Sequence, residues 1–135
     1  MARFNVVAVL MALLISGTVV AEEVPVPDWI KKARAERSEV KKRYGELFAE
    51  VSAILYRHDP IGIASGAPSD EYDPEVGTIL PRLKECRSEQ DAQNVVFEEF
   101  GRWFGEDIAG ARELYAKPSL EIWQAWKRFT SKGAI

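Results

Sequence analysis

Apolar residues recur three or four positions apart through most of this chain, and this spacing constrains its fold more than any other feature. In the first such segment, residues 28–57, the apolar positions are Ile30, Ala33, Val40, Tyr44, Leu47, Val51, Ile54 and Leu55. This period places the apolar side chains on one face of an α-helix, whereas a half-buried strand would alternate every second residue. No strict alternation outlasts the helical patterns. We therefore predict an all-α fold, a small bundle of four or five helices after an N-terminal signal segment.

The first helix of the bundle is predicted to be long. Asp28 is its expected N-cap, and its pattern continues to Arg57, just before a His-Asp-Pro sequence. Gly45 lies inside it at a cost of about 1 kcal/mol relative to alanine, and is a candidate for a close helix crossing.

Proline, glycine and capping residues predict the later helix boundaries. Asp73 is expected to cap a second helix, which Pro81 should kink or split because proline lacks a backbone donor. Ser88 predicts the start of a third helix, and Gly105 predicts its end. Pro118 interrupts the last helical section, so we expect either a kink or a separate helix from that residue onward.

The first 21 residues have the order of a secretory signal. Arg3 is followed by the apolar run Val6–Ile15 and by small residues that end at Ala21. We predict cleavage after Ala21 and a periplasmic or secreted protein; the alternative is an uncleaved N-terminal membrane anchor. Residues 22–27 are then an extended, proline-containing lead-in, and residues 28–135 are one helical domain.

Size, charge and residue counts exclude several classes of protein. A chain of 135 residues is too short for a two-domain enzyme or a polytopic channel. Removal of the leader, whose only charged residue is Arg3, changes the net charge from −3 to −4. The single cysteine, Cys86, cannot form an intrachain disulfide and is interpreted as a small buried apolar residue on a helix; the alternative is an intermolecular bridge or a reactive thiol. One histidine excludes a two-histidine metal site, and we predict neither a metal nor a cofactor.

Residues 59–75, here called the acidic segment, are the sharpest local feature. No Lys or Arg occurs between Arg57 and Arg82, and the spacing of the carboxylates does not match a calcium-binding loop. Acidic residues commonly cap helices and turns, which is the structural interpretation. Ile61, Ile63 and Tyr72 are the expected buried anchors of the loop. The functional interpretation is contact with a partner, in which Ile61, Ile63 or Tyr72 anchors the contact. The predicted contact residues are Asp59, Ile61, Ile63, Asp70, Glu71 and Tyr72.

The two ends of the acidic segment carry a resemblance. The sequences YRHDPIG (56–62) and DEYDPEV (70–76) precede Ile79 and Leu80. This arrangement resembles a group of small, mostly helical bacterial proteins of unknown function, which share a DP-[IL]-G turn followed by a DEYD-like helix start. The resemblance covers residues 55–83. It implies a helical domain and supplies no catalytic residue.

Three functions are compatible with these features. The leading hypothesis is an exported helical binding module, in one form inhibitor or immunity-like, whose acidic segment contacts a protein partner by electrostatic complementarity. The alternative is a small envelope hydrolase that uses acidic residues with His58. No nucleophile motif accompanies His58, so catalysis is not favoured and no catalytic residue is predicted. The third interpretation is a purely structural role. The sequence leaves the oligomeric state open.

The first half of the first helix is rich in basic residues. Export makes nucleic acid an unexpected partner, so the functional interpretation of this run is contact with an anionic membrane surface. The structural interpretation is a solvent-exposed helix face. Its basic members are Lys31, Lys32, Arg34, Arg37, Lys41, Lys42 and Arg43.

Overall fold

Six α-helices and one 3-10 helix make up most of residues 25–133, the part of the chain that the computed structural model describes. The predicted signal segment and residues 22–24 of the lead-in lie outside the described residues. No strand occurs within residues 25–133, so the predicted all-α class is confirmed. The helices are α1 (Asp28–Tyr44), α2 (Glu46–His58), α3 (Asp73–Leu83), α4 (Glu89–Phe104), α5 (Glu106–Ala109) and α6 (Ala116–Ser131), with the 3-10 helix (Arg112–Tyr115) before α6.

Gly45 divides the segment that the sequence predicted as one helix. Its φ of 51° and ψ of −118° are not helical, and this conformation strongly favours glycine because a Cβ would be strained there. The Gly45 N–H still donates to Lys41 O (2.9 Å), which ends α1. No atom lies within 4 Å of the position a Cβ would occupy, so the expected close crossing is wrong. Gly45 therefore provides a change of direction: α1 packs mainly on α3, and α2 packs mainly on α6.

The core lies between α2, α3, α4 and α6. Aromatic rings fill its centre, where Phe100 contacts Tyr72 (ring centroids 5.7 Å apart) and Tyr115 (5.0 Å). The Tyr115 hydroxyl donates to Ala109 O (2.6 Å), which satisfies its only polar group. On α1, Trp29 meets Trp103 edge to face at 4.8 Å and so joins the first helix to α4. Apolar burial of this kind holds the helices together more than their intrinsic propensities do.

Several predicted helix boundaries are confirmed. Ser88 caps α4, since its side chain accepts from Asp91 N–H (3.1 Å), and α4 ends before Gly105, whose φ is 83°. Pro118 lies in the first turn of α6, where its missing donor does no harm.

Other expectations about helix ends are wrong. Asp28 and Asp73 are the first residues of their helices rather than caps, and neither helix has a side-chain cap. Pro81 does not split α3, because it lies in the last turn and removes only the donor for Gly77 O; the alternative expectation, a kink there, stays a prediction. No helix within residues 25–133 has the length and apolar character needed to cross a membrane.

Candidate functional site

Asp59 organises the first half of the acidic segment. It has left-handed backbone geometry (φ 46°), and its own N–H ends α2 by donating to Leu55 O (2.8 Å). Its Oδ1 accepts from Ile63 N–H (2.9 Å), from Ala64 N–H (3.0 Å) and from the Tyr72 hydroxyl (2.5 Å). The carboxylate is thus directed into the loop that it holds closed. Asp59 serves the turn, as the structural interpretation of the sequence expected.

Tyr72 anchors the other end of the loop. Its side chain has 0% exposure, and both burial and the hydrogen bond to Asp59 raise the pKa of its hydroxyl. Ile61 and Ile63 are half-buried and pack against the core. Their predicted role as loop anchors agrees with this burial. Tyr72 offers no surface to a partner in this conformation.

Asp73 connects three helices. Its Oδ1 accepts from the Ser52 hydroxyl of α2 (2.5 Å), and its Oδ2 forms an ion pair with Lys41 of α1 (2.9 Å). Both partners are distant in sequence, so the Asp-Pro pattern suggested a cap and did not reveal them. The Asp73 carboxylate therefore ties α1 and α2 to the start of α3.

Glu75 is a buried acid in the first turn of α3. Its side chain has 1% exposure, and its Oε2 has no hydrogen-bond partner within residues 25–133. Burial raises its pKa well above the ordinary value, and the negative charges of Glu71 and Asp73 act in the same direction, against its own backbone N–H and Arg37. The neutral acid is the form that this site favours.

Only Asp70 and Glu71 carry charge from the acidic segment toward solvent without a counter-ion. Asp70 is exposed and Glu71 is half-buried, and burial and Asp70 raise the pKa of Glu71. Neither forms an ion pair within 4 Å in the described part of the chain. Arg57 and Arg82, the nearest basic residues in sequence on either side, are paired elsewhere: Arg57 binds Glu121 (2.6 Å) and Arg82 binds Glu98 (2.6 Å).

A groove of about 440 Å³ opens beside Asp70. We call it the Asp70 groove. Apolar residues of α2 form one wall, the loop before α3 forms the other, and the Lys41–Asp73 ion pair closes one end. Its main lining residues are Phe48, Ala49, Ala53, Tyr56, Ser69 and Asp70. The Tyr56 hydroxyl donates to Ala67 O (2.9 Å) and so fixes the loop wall against α2.

Sequence reasoning missed the α2 wall of this groove. Ala49 and Ala53 are exposed although they lie four residues apart on a helix whose other face is buried. In the sequence, this wall was indicated only by two small apolar residues at that spacing on the outward face of the helix. The pairing of this face with Ser69 and Asp70 depends on where the loop returns, which no local pattern shows.

His58 and Asp59 do not form a catalytic pair. The His58 Nε2 is hydrogen-bonded to Glu121 Oε2 on α6, whereas the Asp59 carboxylate is bonded within its own loop. His58, together with Arg57, lowers the pKa of Glu121. This cluster fastens the end of α2 to α6 and contains no nucleophile. Within residues 25–133, no group of three His, Cys, Asp or Glu side chains could hold a metal ion.

Cys86 lies in the turn after α3 rather than on a helix. It is half-buried, its Sγ approaches Arg82 O (3.7 Å), and burial raises the pKa of the thiol. A raised pKa reduces the thiolate fraction, so Cys86 is not activated as a nucleophile.

Comparisons with protein families, with curated proteins and with solved structures found no match for this chain. The resemblance of residues 55–83 to small helical bacterial proteins stays a prediction.

Proposed function

We propose that this protein is an exported helical binding module whose Asp70 groove receives a segment of a protein partner. The partner segment combines an apolar side chain, which enters the groove, with a Lys or Arg, which meets Asp70 and Glu71. An inhibitor or immunity-like protein that captures a basic target would work in this way.

The observation that carries the proposal is a largely apolar groove lined by Asp70, a carboxylate that forms no ion pair within 4 Å in residues 25–133. Glu71, which is also unpaired there, is the next residue in the sequence. Exposed Ala49 and Ala53 leave room for a partner side chain between α2 and the loop. Burial of apolar surface there supplies binding free energy, at roughly 25 cal/mol per Å² before the cost of association. The charges of Asp70 and Glu71 select a basic partner and accelerate encounter.

The proposal divides the predicted contact residues into two groups. Asp59, Ile61, Ile63 and Tyr72 hold the loop wall in place, and Asp70 and Glu71 meet the partner. A rigid wall reduces the entropy that the partner must lose to dock. Apolar contact comes from α2, in place of the isoleucines and tyrosine expected from the sequence.

Affinity capture from cell-envelope extract with quantitative mass spectrometry tests the proposal. The bait is the protein as the cell produces it, compared with the double variant Asp70→Lys/Glu71→Lys and with Ala53→Trp, which fills the groove without changing charge. We expect both variants to capture one specific, basic partner at least about tenfold less than the wild-type protein does. A tenfold loss is equivalent to about 1.4 kcal/mol of binding free energy.

The control is Glu85→Lys/Glu113→Lys, which makes the same charge change at exposed positions outside the groove. It should retain the partner, and all variants should keep the wild-type melting temperature within a few degrees. Equal capture by wild type and both groove variants contradicts the proposal. A loss of capture that accompanies a large drop in melting temperature favours the structural interpretation of the loop.

A further inference from the structure

The C-terminal ends of α1 and α6 meet beside Gly45, on a side of α2 that is separate from the Asp70 groove's loop wall. Tyr44 and Phe129 join the two ends, with ring centroids 5.9 Å apart. They enclose a recess of about 370 Å³. We call this cavity the basic recess. Cationic side chains from both helix ends line it: Lys42, Arg43, Arg128 and Lys132.

The positive charge of the basic recess is only partly compensated. Arg128 binds Glu50 (2.5 Å), and Lys42 lies 3.4 Å from Glu39 with both side chains largely exposed, so that pair contributes little. Arg43 and Lys132 form no ion pair within 4 Å in residues 25–133. Four cations and two carboxylates, Glu46 and Glu50, line the recess, which leaves it net positive.

A line of exposed basic residues on α1 leads into the recess. Lys31, Arg34 and Lys42 lie on one side of the helix. The distance along the helix axis from Lys31 to Lys42 is about 16 Å. The buried residues Val40 and Tyr44 are on the other side. The C-terminal end of the basic run, Lys42 and Arg43, therefore lies in the same recess as Lys132, about ninety residues further along the chain.

We propose that the basic recess and this line on α1 bind the anionic phospholipid surface of a membrane. Phospholipid phosphates complement the net positive charge, and each Lys or Arg near such a surface contributes on the order of 1 kcal/mol. In the alternative in which the N-terminal segment stays as a membrane anchor, only residues 16–27 separate α1 from the apolar run Val6–Ile15. This inference is independent of the Asp70 groove.

Vesicle flotation tests the inference. The protein is used as the cell produces it, with its N-terminus identified by mass spectrometry, and is mixed with vesicles of pure phosphatidylcholine or with 40% phosphatidylglycerol. We expect binding only to the anionic vesicles, weakened by at least roughly tenfold between 50 and 500 mM salt because screening shortens the range of the attraction. The variant K42E/R43E/K132E should weaken binding by about tenfold or more.

The matched control is K84E/R87E/K117E, which makes the same charge change at exposed positions, with Lys117 at the opposite end of α6 from Lys132. The control should bind within about twofold of wild type. Equal losses in the two variants, equal binding to neutral vesicles, or tighter binding to a DNA duplex than to anionic vesicles would each overturn the inference. If K42E/R43E/K132E does not fold, K42Q/R43Q/K132Q is compared with the corresponding glutamine control, with the same criteria.

Discussion

At the scale of single residues, the environment of each carboxyl group in the acidic segment decides its role. Asp59 accepts three hydrogen bonds inside its loop, and Asp73 bridges α1, α2 and α3. Both carboxylates make contacts that hold the fold, so a ligand that displaced these contacts would weaken it. Asp70 faces solvent. Within the acidic segment, Asp70 and Glu71 are the two residues whose charge remains available to a partner.

Glu75 should make the protein less stable as pH rises. Its pKa in the folded protein is raised well above 4.5 by burial, whereas the unfolded chain ionises near 4.5. Below pH 4.5 both states hold the proton, and the full stability is present. Between pH 4.5 and the raised pKa the unfolded state releases its proton first, so the free energy of unfolding decreases. Glu75→Gln removes this effect because its amide remains neutral.

Urea unfolding at pH 4, 6 and 8 measures the effect. The stability of Glu75→Gln relative to wild type should increase from pH 4 to pH 8. Other titrating groups are common to both proteins and cancel in the difference. Glu113→Gln, at an exposed position, is the control and should follow the wild-type curve. A Glu75→Gln difference that stays constant across this range would contradict a buried neutral acid.

At the scale of helices, Gly45 is the residue whose replacement should alter the architecture most directly. Gly45→Ala places a Cβ on a backbone with φ 51° and ψ −118°, which should cost about 1–3 kcal/mol. Crowding is not the cause, since no atom lies within 4 Å of the added Cβ. Thermal unfolding followed by circular dichroism should show a lower melting temperature.

Gly101 is the matched control because it lies inside α4 and also has open space around its Cβ position. Gly101→Ala should stabilise the protein by roughly 0.5–1 kcal/mol, since alanine loses less backbone entropy in a helix. If Gly45→Ala lowers the stability and Gly101→Ala raises it, the backbone geometry at each glycine determines the effect of the substitution. A stabilising Gly45→Ala would show that α1 and α2 can join into the single helix predicted from the sequence.

The helices predictable from the sequence are those whose signals are local. Ser88 and Gly105 mark the ends of α4 because a cap and a positive φ act within a few residues. Gly45 was misjudged because one glycine costs a helix only about 1 kcal/mol, and tertiary packing then determines whether the helix continues. The partners of Asp73 and the walls of the Asp70 groove join residues distant in sequence. Charge spacing therefore located the acidic segment but not which of its residues reach solvent.

At the scale of the whole molecule, burial is unevenly distributed, and stability should be as well. The 17-residue α1 has three buried residues, whereas the 16-residue α4 has eight. Opening α1 exposes less apolar surface than opening α4, and local opening follows that difference. Both proposed binding surfaces include Gly45, where α1 ends. The packing of α1 on the rest of the bundle therefore affects the shape of both surfaces.

Native-state hydrogen exchange should therefore separate α1 from α4. We expect the amides of α1 to exchange at least about tenfold faster than those of α4, through openings that leave the core folded. Trp29→Ala should widen the gap, because it removes the edge-to-face contact with Trp103 and the stacking of Arg102 over the Trp29 ring (4.5 Å). Trp123→Ala, a half-buried tryptophan on α6, is the control and should not accelerate α1 selectively. Equal protection of α1 and α4 would mean that α1 opens only with global unfolding, and its basic side chains would then meet any membrane as part of a rigid surface.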